Sequence, residues 1–157
     1  MDSSLFPNHG ASALRRGRRS EAGRSYLVTF TCHDRIQLFG DIDLAIVAAR
    51  ALADIRLWRK SRLLCWVLMP DHWHGLVELS DIESLSTLVA RVKSVSAGAV
   101  NLAANRRSSV WASGFHDRAV RRDDDRMAIA RYVVRNPIRA GLCARIGDYP
   151  FWDASWL

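Results

Sequence analysis

Residues 63–79 read LLCWVLMPDHWHGLVEL, a pattern typical of two strands joined by a tight turn. The first seven residues are continuously apolar, as in a strand that is buried on both faces. Pro70 and Asp71 interrupt this run, and from His72 onward the sequence alternates with a period of two. The stretch therefore predicts a β-hairpin at the centre of a sheet.

Strand and helix patterns alternate on both sides of this hairpin. In chain order, the sequence predicts a strand at 26–31, a helix at 41–60, the hairpin at 63–79, a helix at 84–105, a strand at 110–120 and a helix at 123–136. Asp41 or Asp43 can cap the first helix, and the aspartates at 123–125 can cap the third. The order β-α-β-β-α-β-α predicts an α+β fold of the ferredoxin-like split βαβ type, with an antiparallel sheet and a C-terminal helix.

Length and composition indicate one globular domain that follows a basic arm. The chain has 157 residues, of which 49% are hydrophobic and 25% charged, as expected for a single folded domain at 25–157. Residues 1–24 are predicted to be a flexible arm that orders on nucleic acid, with a merely solvated tail as the alternative. The apolar stretch after the arm is too short for a signal peptide. No apolar run reaches the roughly 18 residues of a membrane helix, so we expect no membrane partner.

Positive charge is concentrated in two parts of the chain. The formal net charge is +7, and all but two of the 23 basic residues are arginine. Residues 1–24 carry a net charge of +3 and residues 106–139 a net charge of +5. Arginine binds phosphates in a bidentate manner, so this distribution favours a nucleic-acid partner. GC-rich codon usage is an alternative source of the arginine bias, but it does not explain why the charge is clustered.

His72 and His74 lie two residues apart on a predicted strand, so their side chains share one face while Trp73 points to the other. Two adjacent imidazoles can bind one divalent metal ion. Two such histidines can also be ordinary surface or core residues. Their position at the head of a strand, directly after a buried strand, strengthens the case for a metal site and leaves both interpretations open.

A second set of candidate groups lies at 131–137, which reads RYVVRNP. Tyr132 and Asn136 are four residues apart and therefore share a face of the third helix. Pro137 disfavours the α conformation at Asn136, which predicts that Asn136 ends the helix, where the dipole favours a cation. If this helix packs on the sheet, Asn136 can complete a metal site of two histidines and one oxygen. Tyr132 is then a candidate nucleophile for phosphodiester cleavage, and a tyrosine at the edge of the core is the alternative.

Three motifs in this order resemble a known family. They are VLMPDHWH at 67–74, GFHDRAVR at 114–121 and YVVRNPIRAGL at 132–142. From about residue 24 to its end, the chain is similar to the REP-associated tyrosine transposases of the HUH superfamily, which use one tyrosine. The resemblance implies that His72 and His74 are metal ligands, that Tyr132 is the nucleophile and that Asn136 is the third ligand, where related enzymes carry Gln.

The same resemblance implies an activity and its partners. The family cleaves single-stranded DNA that folds into palindromic hairpins, leaving a 5′-phosphotyrosine and a free 3′-OH. It implies Mg²⁺ or Mn²⁺ and no nucleotide cofactor, and we expect a monomer that is cytoplasmic and nucleoid-associated. Two alternatives are a non-catalytic protein that binds DNA or RNA hairpins and a metal-dependent phosphoesterase that uses water. No acidic cluster accompanies the two histidines in the sequence, which counts against the phosphoesterase.

DNA contacts are expected from arginines and from the segment between the motifs. The candidate phosphate ligands are Arg15, Arg16, Arg18, Arg19, Arg118, Arg121, Arg122, Arg131, Arg135 and Arg139. His116 and Asp117 are candidates for the substrate groove. Trp111 and Phe115 are expected in the core, with stacking on an unpaired base as the alternative.

Overall fold

A computed structural model describes residues 23–121 and 124–156 of the chain. The strands are β1 (Ser25–Thr31), β2 (Ser61–Leu68), β3 (His72–Leu79), β4 (His116–Ala119) and β5 (Trp152–Ala154). The α-helices are α1 (Ile42–Leu52), α2 (Leu85–Ala103), α3 (Arg126–Val134) and α4 (Asn136–Arg139). Within these described ranges, no helix is long and apolar enough to span a membrane.

The strands form one antiparallel sheet in the order β4-β1-β3-β2-β5. Strand β3 lies between β1 and β2, which is the split βαβ arrangement. The predicted fold class is therefore confirmed, and β5 extends the sheet beyond β2. The predicted hairpin of β2 and β3 is closed by the Met69 amide, which donates to the carbonyl of His72 at 2.8 Å.

The two faces of the sheet carry separate hydrophobic cores. On one face, Phe30 and Trp73 pack with the buried residues of α1 and α2; we call this the α1–α2 face. On the other, Leu27 and Leu76 pack with the buried residues of α3; we call this the α3 face. Because side chains alternate along a strand, the histidines on either side of Trp73 point to the α3 face. The position of α3 therefore determines which side chains can contact the two histidines.

Gly75 leaves room for the ring of Trp73. A Cβ atom at Gly75 would lie 2.3 Å from Cη2 of Trp73. The Trp73 ring is 1% exposed and stacks on Phe30 with ring centroids 4.9 Å apart, so it has little freedom to move. We expect Gly75→Ala to lower the free energy of unfolding by about 1–3 kcal/mol, as other overpacked cores do. Urea unfolding measures this, with Gly98→Ala as the control because a Cβ there meets nothing within 4 Å. Equal stability of the two variants would contradict the packing argument.

The first and second helices form as predicted, although the first is shorter. Asp41 caps α1, as predicted, and Ser84 caps α2. The prediction that the first helix continues to residue 60 is wrong, because a separate 3-10 turn at Ile55–Trp58 follows α1. The side chain of Asp54 accepts a hydrogen bond from the backbone amide of Arg56. Asp54 therefore caps the 3-10 turn, and α1 does not continue through it.

The fourth predicted strand is also shorter than predicted. Of residues 110–120, only His116–Ala119 form β4, and Trp111 makes an isolated bridge to Cys32. Trp111 is buried, and its Nε1 donates to Oγ of Ser96 at 3.0 Å. Phe115 packs against the same core. The expectation of a core position is confirmed for Trp111, whereas Phe115 is half-buried.

Candidate metal and nucleophile site

His74 is a buried imidazole on the α3 face, with 4% of its surface exposed. Its Nδ1 is hydrogen-bonded to Oγ1 of Thr29, the residue opposite it on β1. Burial, followed by the charges of His72 and Arg139, lowers the pKa of His74 to about 3. The ring is therefore neutral at physiological pH, the form that binds metal ions. Because Thr29 engages Nδ1, Nε2 is the nitrogen suited to a metal.

His72 begins β3 and has a carboxylate beside it. Its Nδ1 lies 2.7 Å from Oδ1 of Asp71, and Oδ2 of Asp71 lies 3.3 Å from the guanidinium of Arg35. A carboxylate that hydrogen-bonds the second nitrogen of a metal-binding histidine fixes its tautomer and its orientation. The contact leaves Nε2 of His72 as the nitrogen that could bind a metal ion, as the contact with Thr29 does for His74.

Asn136 meets His72 across the space between the sheet and the helices. Its Nδ2 lies 3.5 Å from Nε2 of His72, although the residues are 64 positions apart in sequence. Rotating the carboxamide exchanges its nitrogen and oxygen, so the same position can present an oxygen. Two imidazole nitrogens and one carboxamide oxygen suit a divalent ion such as Mn²⁺ or Mg²⁺. Among the residues that the structure describes, no group of three His, Cys, Asp or Glu side chains forms an alternative metal site.

The backbone around Asn136 differs from the prediction. The third helix ends at Val134, Arg135 departs from helical geometry with φ −81° and ψ 1°, and Asn136 begins α4. The prediction that Asn136 ends a helix is therefore wrong, and the argument from the negative end of a dipole does not apply. Pro137 is favourable here because the first turn of a helix does not need its amide hydrogen. The break turns the carboxamide toward His72.

Tyr132 lies one turn before Asn136, and Arg139 packs on its ring. The guanidinium carbon of Arg139 lies 3.8 Å from the centroid of the Tyr132 ring. Nη1 of Arg139 donates to the carbonyl oxygen of Tyr132 at 2.7 Å. The charge of Arg139 also acts on His74. The structure thus brings the carboxamide of Asn136 to His72 and the guanidinium of Arg139 to the Tyr132 ring.

A protein-family model described as IS200-like transposase matches residues 22–136. The chain belongs to the IS200-like transposases. The transposase family predicted from the three motifs is thereby confirmed. A comparison with curated protein sequences finds no match.

Two solved structures show the same fold as this IS200-like transposase. One is a REP-associated tyrosine transposase bound to a REP hairpin, with a TM-score of 0.65 and 21% identity over 86% of this chain and 79% of that one. The other is a proposed transposase from Deinococcus radiodurans, with a TM-score of 0.51 and 18% identity over 75% of this chain and 95% of that one.

The structure separates the two residues predicted for the substrate groove of the transposase. His116 and His74 are both paired with Thr29, so the three side chains form a row across the sheet on the α3 face. Asp117 is paired with Val28, which packs in the core of the α1–α2 face. His116 is exposed on the face of the candidate site, whereas Asp117 lies on the opposite face of the sheet, and their predicted role in a substrate groove stays a prediction.

The candidate DNA-contacting arginines fall into three groups. Arg118 lies on the α3 face, and its Nη1 is 3.4 Å from Oδ2 of Asp124. Arg121, Arg131, Arg135 and Arg139 are exposed. Arg15, Arg16, Arg18, Arg19 and Arg122 lie outside the described residues.

The sequence did not predict a basic groove of about 600 Å³ that lies beside α2. Lys93, Arg106 and Arg107 supply its positive charges. Nζ of Lys93 donates to two backbone carbonyls of the loop before β4, at 2.6 and 2.8 Å. The net positive charge of residues 106–139 could have predicted that Arg106 and Arg107 belong to a basic surface. The place of Lys93 in this groove could not be predicted from the sequence, because only the tertiary fold places α2 beside this loop.

Proposed function

We propose that this IS200-like transposase is a metal-dependent endonuclease and strand transferase that cuts single-stranded DNA through a 5′-phosphotyrosine. The proposal is carried by the contact between Asn136 and His72. That contact joins α4, which directly follows the helix bearing Tyr132, to the strand bearing the histidine pair. A nucleophile and a metal-ligand set from distant parts of the chain are the two components that such a reaction requires.

In the proposed reaction, Oη of Tyr132 attacks phosphorus, and the bond between phosphorus and the 3′ oxygen breaks. The phenol gives up one proton and the departing 3′ oxygen gains one. His72, His74 and Asn136 would hold Mg²⁺ or Mn²⁺, which supplies polarisation of the scissile phosphate when it is bound. One phosphodiester replaces another, so the 3′-OH can later attack the phosphotyrosine and rejoin the strand without a nucleotide cofactor.

We propose hairpin DNA with a single-stranded flank as the substrate. One structural relative is bound to a REP hairpin. In this protein, exposed Arg131 and Arg135 lie on the α3–α4 segment, and Lys93, Arg106 and Arg107 line the groove beside α2. These cations suit phosphate contacts on a folded strand, which position the DNA without reading its bases.

A denaturing gel of the protein with labelled hairpin DNA and Mn²⁺ tests the proposed function. We expect a slowly migrating covalent band that disappears on protease treatment. Binding without any cleavage would instead favour a non-catalytic hairpin-binding protein. Cleavage without a covalent band would favour a phosphoesterase that uses water.

The arginines at 1–24 are expected to contribute to DNA binding. Removing this arm should weaken hairpin binding, since up to five phosphate contacts are lost. The slope of log affinity against log salt should become shallower by about 0.7–0.9 for each lost contact. Fluorescence anisotropy over a salt series measures both effects. Unchanged affinity and slope would make the arm a passive tail.

A further inference from the structure

We propose that Arg139 is a positioning residue of the cleavage reaction, which holds the Tyr132 ring and presents a positive charge where the scissile phosphate must lie. This inference rests on the proposed function and assigns to Arg139 a role more specific than a general DNA contact. The observations that carry it are the two contacts of Arg139 with Tyr132 and the location of its charge.

Both contacts of Arg139 are made with the same residue. The guanidinium lies over the Tyr132 ring, 3.8 Å from its centroid, and also donates to the Tyr132 carbonyl at 2.7 Å. The first contact restrains the ring and the second anchors the guanidinium to the backbone that carries the ring. A cation over an aromatic face is attracted by the electron density of the ring. One side chain thus limits the rotamers that the phenol can adopt, and the orientation of a nucleophile governs its rate of attack.

The charge of Arg139 lies beside the proposed nucleophile and also affects one of the two candidate metal-binding histidines. It acts on the imidazole of His74 while the same guanidinium stacks on Tyr132. Among the described residues, no carboxylate forms an ion pair with Arg139, in contrast to Arg118, which lies 3.4 Å from Asp124. A phosphate attacked by Tyr132 and bound beside the histidines must occupy this region. A guanidinium there stabilises the charge of the phosphate during attack.

The competing explanation is that Arg139 only caps α3. Its bond to the Tyr132 carbonyl satisfies a group near the helix C-terminus, which arginine side chains commonly do. A cap affects stability, whereas a positioning residue affects the rate of adduct formation in the bound complex. Arg139→Gln separates the two roles, because glutamine keeps a donor for the carbonyl and removes the cation.

The matched control is Arg145→Gln. It removes one positive charge from a residue whose side chain is 83% exposed and pairs with Asp148. At saturating hairpin DNA, we expect Arg139→Gln to form adduct about 10²-fold more slowly than wild type, the loss that misplacement of a reacting group can cause. Arg145→Gln should match wild type in rate. Arg139→Lys should be intermediate, because lysine keeps the charge and lacks the planar stacking group.

Tyrosine-selective NMR provides a readout that does not depend on catalysis. The chain has three tyrosines, so a ¹³C-tyrosine sample gives few ring signals, and Tyr132→Phe assigns one of them. Arg139→Gln should shift the Tyr132 signals and leave those of Tyr26 and Tyr149 in place. Thermal unfolding identifies any loss of fold, in which case Arg139→Lys carries the comparison.

The outcomes separate the inference from the proposed function. If wild type forms no adduct, the proposed function fails, and unshifted Tyr132 signals in Arg139→Gln would refute the contact as well. If wild type forms adduct and Arg139→Gln reacts as fast as Arg145→Gln, the positioning role is overturned while the proposed function stands. A slow Arg139→Gln with unshifted Tyr132 signals overturns the claim that Arg139 holds the ring.

Discussion

Replacing Tyr132 with phenylalanine is expected to abolish the covalent protein–DNA adduct and leave hairpin binding near the wild-type affinity. The substitution removes only Oη, the atom that is proposed to bond to phosphorus, and keeps the ring under the guanidinium of Arg139. Loss of a covalent nucleophile lowers the rate by about 10³-fold or more. A denaturing gel measures the adduct and fluorescence anisotropy measures binding.

Two other tyrosines serve as controls for this experiment. Tyr26 is 4% exposed and lies in the core. The hydroxyl of Tyr149 donates to the carbonyl of Leu68 at 2.6 Å, and burial raises the pKa of Tyr149 to about 12. Tyr26 is buried and the hydroxyl of Tyr149 is engaged by a backbone carbonyl, so Tyr26→Phe and Tyr149→Phe should retain the adduct. An adduct that persists in Tyr132→Phe would remove Tyr132 as the nucleophile.

The metal-ligand set predicts the second large effect. His72→Ala and Asn136→Leu should each weaken Mn²⁺ binding, because each removes one proposed metal ligand. The side chains of these two residues are in contact in the structure. Loss of an outer partner of a metal ligand costs about 10–100-fold in affinity, and loss of a ligand should cost at least as much. Asp71→Asn tests that outer partner directly, since Asp71 contacts Nδ1 of His72. Calorimetry with Mn²⁺ and the metal-free protein gives the affinities.

The matched control for Asn136→Leu is Asn136→Gln. Glutamine keeps a carboxamide oxygen, one methylene further from the backbone, and should retain partial metal binding and partial cleavage. Leucine offers no oxygen and should retain neither. Wild-type Mn²⁺ affinity in Asn136→Leu would show that the ion is held without α4, and the proposed placement of Tyr132 beside it would lose its main support.

The sequence could predict those features that depend on near neighbours in the chain. The alternation of side chains along a strand placed His72 and His74 on one face and Trp73 on the other, whatever packs around them. Capping is equally local, so Asp41, one of the two predicted cap candidates, marked the start of α1 correctly. The order of elements then restricted the sheet to a split βαβ arrangement.

The tertiary structure determined which of these groups meet. Strand pairing put His116 in a row with His74 and turned Asp117 to the opposite face, because one residue of register separates the two faces of a sheet. The break at Arg135 changed the direction of the chain, so that Asn136 reaches His72 and Arg139 returns to Tyr132. No local pattern specifies such contacts, because they arise from how α3 packs on the sheet.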